Sequence, residues 1–188
     1  MRIILAVLFF CFFLIPSDVF AQKTDARQRT EEIVSSLNKT KYQFSERRGV
    51  KKEKYKSIRS EPVIKKNIAD YAGQYEVPGF GYNLEIRVAN DVSVEAAGYE
   101  PETGDGRQSR RFIFKNAKIE GALLTATKVY DDGSTKAFEG VFIEQTNIEG
   151  VSPQQIERQS KTFGLAAAAV QVKTASGVDL DRLFYHRK

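Results

Sequence analysis

Three acidic side chains, Glu100, Glu102 and Asp105, crowd the stretch EPETGDG. They are the grouping in this chain best suited to acid-base work or to oxygen ligation of a hard cation such as calcium. Their spacing is not that of a helix-loop-helix calcium loop, and Pro101, Gly104 and Gly106 are what a tight exposed connection requires. The expectation is therefore a solvent-facing hairpin loop with no catalytic or metal-binding role. Arg107, Arg110 and Arg111 come next and have the donor geometry to clamp an anion. Arg110 and Arg111 are neighbours in a strand, so at most one faces inward, and a surface pair is expected.

Other chemistries lack their material. The one histidine, His186, stands near the C-terminal end, which leaves nothing from which to build a histidine-dependent triad or a histidine-rich metal site. No serine sits in a G-x-S-x-G elbow. The stretch GDGR at Gly104 to Arg107 lacks the lysine and the helix of a phosphate-cradling loop. The reading is a non-enzymatic protein without catalytic residues, metal or cofactor.

The amino-terminal residues read as a targeting segment. One arginine precedes an apolar run from Ile3 to Ile15, Pro16 breaks it, and Val19 and Ala21 are small residues before Gln22. This is the pattern of a secretory signal cleaved after Ala21, and the run is shorter than the roughly 20 residues of a membrane-spanning helix. Cys11, the one cysteine, lies inside that run after Phe9 and Phe10, so it does not read as a lipidation site. Cleavage would remove it and leave 167 of the 188 residues. Disulfides and thiol chemistry are thereby excluded, and stability must come from burial alone. The expected location is periplasmic or extracellular, soluble after cleavage.

Charge divides the remainder of the chain. Residues 22–68 hold 14 Lys and Arg against 6 Asp and Glu, whereas residues 69–188 hold 14 against 17, so the net positive charge belongs to the arm and not to the domain. Within the arm, TDARQRTEEIVSSLNKTKYQF has helical spacing, with Asp25 as cap and Ile33, Val34, Leu37 and Phe44 on one face, and Gly49 as the stop. The segment VKKEKYKSIRSEPVIKKN reads as extended or loosely structured. Such an arm is suited to anionic lipid head groups or acidic glycans, although a solvated linker has the same composition; no nucleic acid is expected as partner.

From Ala69 the period changes to two. Tyr82, Leu84, Ile86 and Val88 alternate with Asn83, Glu85 and Arg87, and after a break at AND the apolar face resumes as Val92, Val94, Ala96 and Gly98. Phe112 and Phe114 share a face, ALLTATKVY alternates ambiguously, DDGS marks a tight turn, and Phe138 and Phe142 flank Gly140. The run LAAAAVQV reads as a strand whose small side chains admit a close neighbour. VSPQQIERQSK, Val151 to Lys161, shows no alternation and reads as a helical turn or a polar loop across a barrel mouth. About eight strands with short connections in residues 69–188 imply a mainly β, single antiparallel up-and-down barrel, with a two-sheet sandwich as the alternative.

The opening Gly73-Gln74-Tyr75 of YAGQYE, followed by this meander and by the Phe138 to Phe142 strand, resembles lipocalin-like (calycin-type) barrels and the small barrel domains appended to some bacterial serine hydrolases. Tyr75 stands where lipocalins typically carry tryptophan, which this chain lacks. The resemblance spans Ala69 to Lys188. It implies either a cup for a small apolar or amphiphilic molecule or a filled barrel serving as an accessory module. In the first case Tyr82, Leu84, Ile86, Phe112, Phe114 and Phe142 would line the cup. In the second, the protein would be an envelope interaction or structural module whose basic arm touches acidic surfaces.

Overall fold

The computed structural model describes residues 17–38, 43–47, 50–89, 93–101, 109–152, 155–173 and 179–188. The apolar run Ile3–Ile15, Gly49, Val92, Glu102, Asp105 and Arg107 lie outside them. One helix, α1 (Ser17–Leu37), precedes ten strands: β1 (Gln43–Arg47), β2 (Val50–Pro62), β3 (Gly73–Val77), β4 (Tyr82–Ala89), β5 (Ser93–Pro101), β6 (Ser109–Glu120), β7 (Leu123–Tyr130), β8 (Thr135–Ser152), β9 (Gln155–Lys173) and β10 (Asp179–Arg187). A 3-10 turn, Ile68–Tyr71, leads into β3.

Each strand from β3 to β10 pairs antiparallel with its sequence neighbour, and β10 returns to β3 through His186↔Glu76 and Arg187↔Tyr75. The eight strands therefore close into an up-and-down barrel, which removes the free edges that a sandwich would keep.

Its interior is packed with side chains. Tyr75, Leu84, Ile86, Phe112, Leu124, Phe142, Leu165 and Tyr185 are each no more than 2% exposed and belong to one cluster. Gly98 is required inside this packing, because a Cβ there would stand 2.2 Å from the Asn83 carbonyl oxygen and 2.7 Å from Phe112 Cζ. Gly140 lies within β8 and faces Leu165. At one barrel end Tyr71 forms a plug. Its ring stacks on Phe142 at 4.2 Å, and its hydroxyl accepts from Lys65 N and lies 2.8 Å from the Gly121 carbonyl and 3.0 Å from that of Val63.

A second core lies outside the barrel wall. Ala26, Ile33 and Val34 of α1 pack on Ala122, Leu123, Val141, Ile143 and Ala166. β7, β8 and β9 are thus buried on both faces, inward through Leu124, Phe142, Leu165 and Ala167, and outward through Leu123, Val141, Ile143 and Ala166. Strands covered on both sides lose their polar alternation, which explains ALLTATKVY; of the alanine run, Ala166 joins this outer core and Ala167 the inner one.

Three sequence expectations are corrected. Asp25 lies inside α1, which starts at Ser17 and runs through Ala21, and is not a cap. The helix ends at Leu37, and Phe44 sits on β1, opposite Tyr55. Asn38 accounts for that stop, since its amide nitrogen donates to the Ser60 carbonyl and its oxygen accepts from Ser60 N, both at 2.8 Å, tying the helix end to β2. The described residues of VSPQQIERQSK are strand, not a helical turn or mouth loop. Val151 and Ser152 end β8, and Gln155 begins β9, paired with β8 as far as Ser152↔Gln155.

The basic segment beyond α1 is correspondingly no loose linker. β2 pairs with β8 from Tyr55↔Gly150 to Pro62↔Ile143, taking over β8 where β7 leaves it at Leu123↔Val141. The far halves of β8 and β9, with β2 and β1, form a sheet that projects past the barrel wall. Ile156, Arg158, Gln159, Ser160 and Lys161 are exposed there, and a ribbon wetted on both faces has no reason to alternate.

Candidate functional site

Alternation carries polar side chains into the barrel at the end opposite the Tyr71 plug. On β5 the inward series Val94, Ala96, Gly98 continues to Glu100. On β6 the series Phe114, Phe112 continues back to Arg110, and on β7 Leu124 leads to Lys128 and Tyr130. These side chains, with Tyr82, Pro101, Ser134, Thr135, Lys136, Phe138, Leu183 and Tyr185, line a mouth pocket of about 380 Å³, within the size range of small-ligand sites.

A buried ion pair forms its floor. Lys128, 5% exposed, donates to Glu100 Oε2 at 2.5 Å, and the Tyr130 hydroxyl donates to Glu100 Oε1 at 2.6 Å. The ammonium also lies 4.2 Å from the centre of the Phe112 ring and 5.3 Å from that of Phe138, where the ring faces attract a cation. Burial pushes the Glu100 carboxyl up, but Lys128 and the hydrogen bonds from Lys128 and Tyr130 outweigh it and hold the group below its ordinary value. For Lys128 burial is the larger influence and lowers the ammonium's value against the pull of Glu100. Burial, the hydrogen bond to Glu100 and the Glu100 charge all raise the Tyr130 phenol.

The rim is held by a second cluster. Arg110 Nη2 donates to Asp132 Oδ2 at 2.7 Å and Ser134 Oγ at 2.9 Å, and its guanidinium lies 4.2 Å above the Tyr130 ring. Asp132 in turn accepts from Ser134 N and Oγ. The β7–β8 turn that presents these groups needs Gly133, whose φ of 79° lies in the left-handed region. Strand alternation holds at this rim, since Arg110 faces the pocket and Arg111 is exposed; the expected surface pair is corrected to one inward and one outward arginine.

Comparison with protein-family models, with curated proteins and with solved structures finds no match to this chain. Function must therefore be read from the site alone.

Of the six side chains proposed to line a cup, Leu84, Ile86, Phe112, Phe114 and Phe142 are buried against one another in the barrel cluster, and Tyr82 borders the mouth pocket. Glu100, expected in an exposed loop, stands instead on the pocket floor. Lys128, Tyr130, Lys136 and Tyr185 line the candidate site and are not singled out from the sequence. The overlooked signal is parity, since each lies an even number of positions from an inward apolar residue on its own strand. His186 lies away from the mouth, with its ring 4.7 Å from that of Phe184. Among the described residues no group of three or more His, Cys, Asp or Glu is placed to hold a metal, and no helix is long and apolar enough to cross a membrane.

Proposed function

We propose that this chain is an exported, non-enzymatic binding protein that takes a small amphiphilic molecule in the barrel mouth. The observation that carries the reading is the mouth pocket itself, walled by Phe138, Leu183 and the Tyr82 ring and floored by the Glu100–Lys128–Tyr130 cluster. A wholly apolar ligand fits this reading less well, because the apolar interior below the mouth is occupied by side chains. Keeping charged groups at the end of an otherwise apolar barrel costs stability, and a polar contact with a ligand is a reason to retain them.

Since the chain has no tryptophan, Thr135→Trp at the rim supplies a lone reporter. Native mass spectrometry of the protein from its own host should show an adduct of small-molecule mass, and unfolding should release it with a change in the emission of the introduced indole. A bare mass, with emission indifferent to a panel of short-chain amphiphiles, would refute the reading.

A second reading, an envelope interaction module, is favoured by the projecting sheet of β1, β2, β8 and β9. In it the basic arm meets an acidic surface. Part of the arm's charge is used internally, in Arg27–Glu31, Arg29–Glu139 and Arg59–Glu61. Liposome binding by the full chain that weakens with rising salt would favour this alternative.

A further inference from the structure

The hydrogen-bonding capacity of the mouth is unbalanced toward donors. Both oxygens of Glu100 already accept, one from Lys128 and one from Tyr130. Both oxygens of Asp132 likewise accept, from Arg110 and from Ser134. On the donor side, Lys128 spends one of its three N–H groups on Glu100. Lys136, beside it across the β7–β8 ladder at Lys128↔Lys136, has no ion-pair or hydrogen-bond partner among the described residues. Tyr185 is 1% exposed, borders the pocket, and its hydroxyl likewise has no partner among the described residues. The Tyr82 hydroxyl shares that condition, with its ring edge-on to Tyr185 at 6.4 Å.

Among the described residues the buried side-chain polar atom without a partner is Ser60 Oγ, which does not line this pocket; the Tyr185 hydroxyl is thus not sealed in the core but opens onto the pocket, where it is free to donate. Four donors that converge on one space, with every carboxylate oxygen beside them engaged, complement an acceptor that carries no proton of its own. Charge points the same way. Arg110, Lys128 and Lys136 stand against Glu100 and Asp132 around the pocket, which leaves one positive charge in excess, the amount that a monoanion neutralises.

We propose, on the basis of the binding reading above, that the ligand is a monocarboxylic acid bound as its carboxylate. The carboxylate accepts from Lys128 Nζ, the Tyr185 and Tyr82 hydroxyls and Lys136 Nζ. Its apolar portion lies against Phe138 and Leu183. Arg110, engaged by Asp132 and Ser134, shapes the rim and does not contact the ligand.

Calorimetric titration of the full chain with octanoate, octanol and octyltrimethylammonium separates the existence of a ligand site from the charge of its ligand. The expected result is saturable binding of octanoate alone, weakened about tenfold in Lys136→Met, as befits a charge-assisted contact. Tyr185→Phe, which keeps the ring in the core and removes one donor, should weaken octanoate as well and leave the far-UV circular dichroism unchanged. Octanol binding as tightly as octanoate, or octyltrimethylammonium binding in its place, overturns the anion inference while leaving the pocket a ligand site. Silence from all three probes overturns the anion inference too, and if the protein from its host also shows a bare mass, the binding reading falls with it.

Discussion

Removing one partner of the Glu100–Lys128 pair should cost far more than removing both. Lys128→Met puts an apolar chain of similar length between Phe112 and Phe138 and leaves Glu100 with one donor, the Tyr130 hydroxyl. Glu100→Gln leaves the Lys128 ammonium among aromatic rings with a neutral partner. The side chains are 7% and 15% exposed, so water reaches them through the mouth. Each single substitution should therefore fall at the low end of the range for breaking a buried pair, about 3 kcal/mol. At about 2–4 °C per kcal/mol for a chain of this size, that lowers Tm by roughly 6–12 °C. The double variant removes both charges and retains the packing, and should return to within about 1 kcal/mol of the parent. Urea unfolding at neutral pH, followed by circular dichroism, measures all three and yields the coupling energy. Single losses that simply add in the double variant would mean that each charge is solvated separately, which refutes the buried pair.

Other expectations rest on separate features. The Glu100 carboxyl is held below its ordinary value by Lys128 and Tyr130 with Lys136 nearby, so its contribution is present above the unfolded value of about 4.5 and is lost as pH falls through the lower folded value. The stability gap between the parent and Glu100→Gln should accordingly close in acid, and a gap that persists at pH 2 would contradict this. Gly98→Ala forces a Cβ to within 2.2 Å of Asn83 O and should cost at least about 2–3 kcal/mol in chemical denaturation. Tyr71→Phe leaves Lys65 N–H and the Val63 and Gly121 carbonyls short of a partner and should cost about 1–3 kcal/mol, read from the same curves. For α1, Ile33→Ala at 0% exposure should lose about 2–4 kcal/mol. Arg29→Ala removes a half-exposed pair with Glu139 and should lose under about 1 kcal/mol, less in high salt; the reverse ranking would mean that charge docks the helix.

How much of this is legible in the sequence depends on which faces are wet. The β4–β5 hairpin has one dry and one solvated face, so Leu84, Ile86, Val94 and Ala96 announce themselves through a period of two. β7 is obscured because α1 dries its outer face, and β9 is obscured at Ala166 and Ala167 because one joins the outer core and the other the inner core. The first half of β9 is obscured for the opposite reason, since both its faces meet water. The end of α1 depends on the Asn38–Ser60 pairing, a contact across 22 residues that local periodicity does not report. The site is hidden by a similar logic. A lysine and a glutamate break an apolar series when read one at a time, and only the meeting of β5 with β7 across the closed barrel makes them partners for each other.

The short seam between β3 and β10 has a kinetic consequence. β8 and β9 zip together as one long hairpin of near neighbours, whereas β10 meets β3 in a short seam, His186↔Glu76 and Arg187↔Tyr75, extended by Lys188 N donating to Gln74 O and by Arg187 bonding to Ala72 O, 115 residues away in sequence. Contacts of such separation bear the largest loop-closure entropy and form late. Closure should then be the step that sets the folding rate. The same seam is where the wall would part first in native-state hydrogen exchange, opening between Tyr75 and Tyr185 while the β8–β9 ladder stays protected.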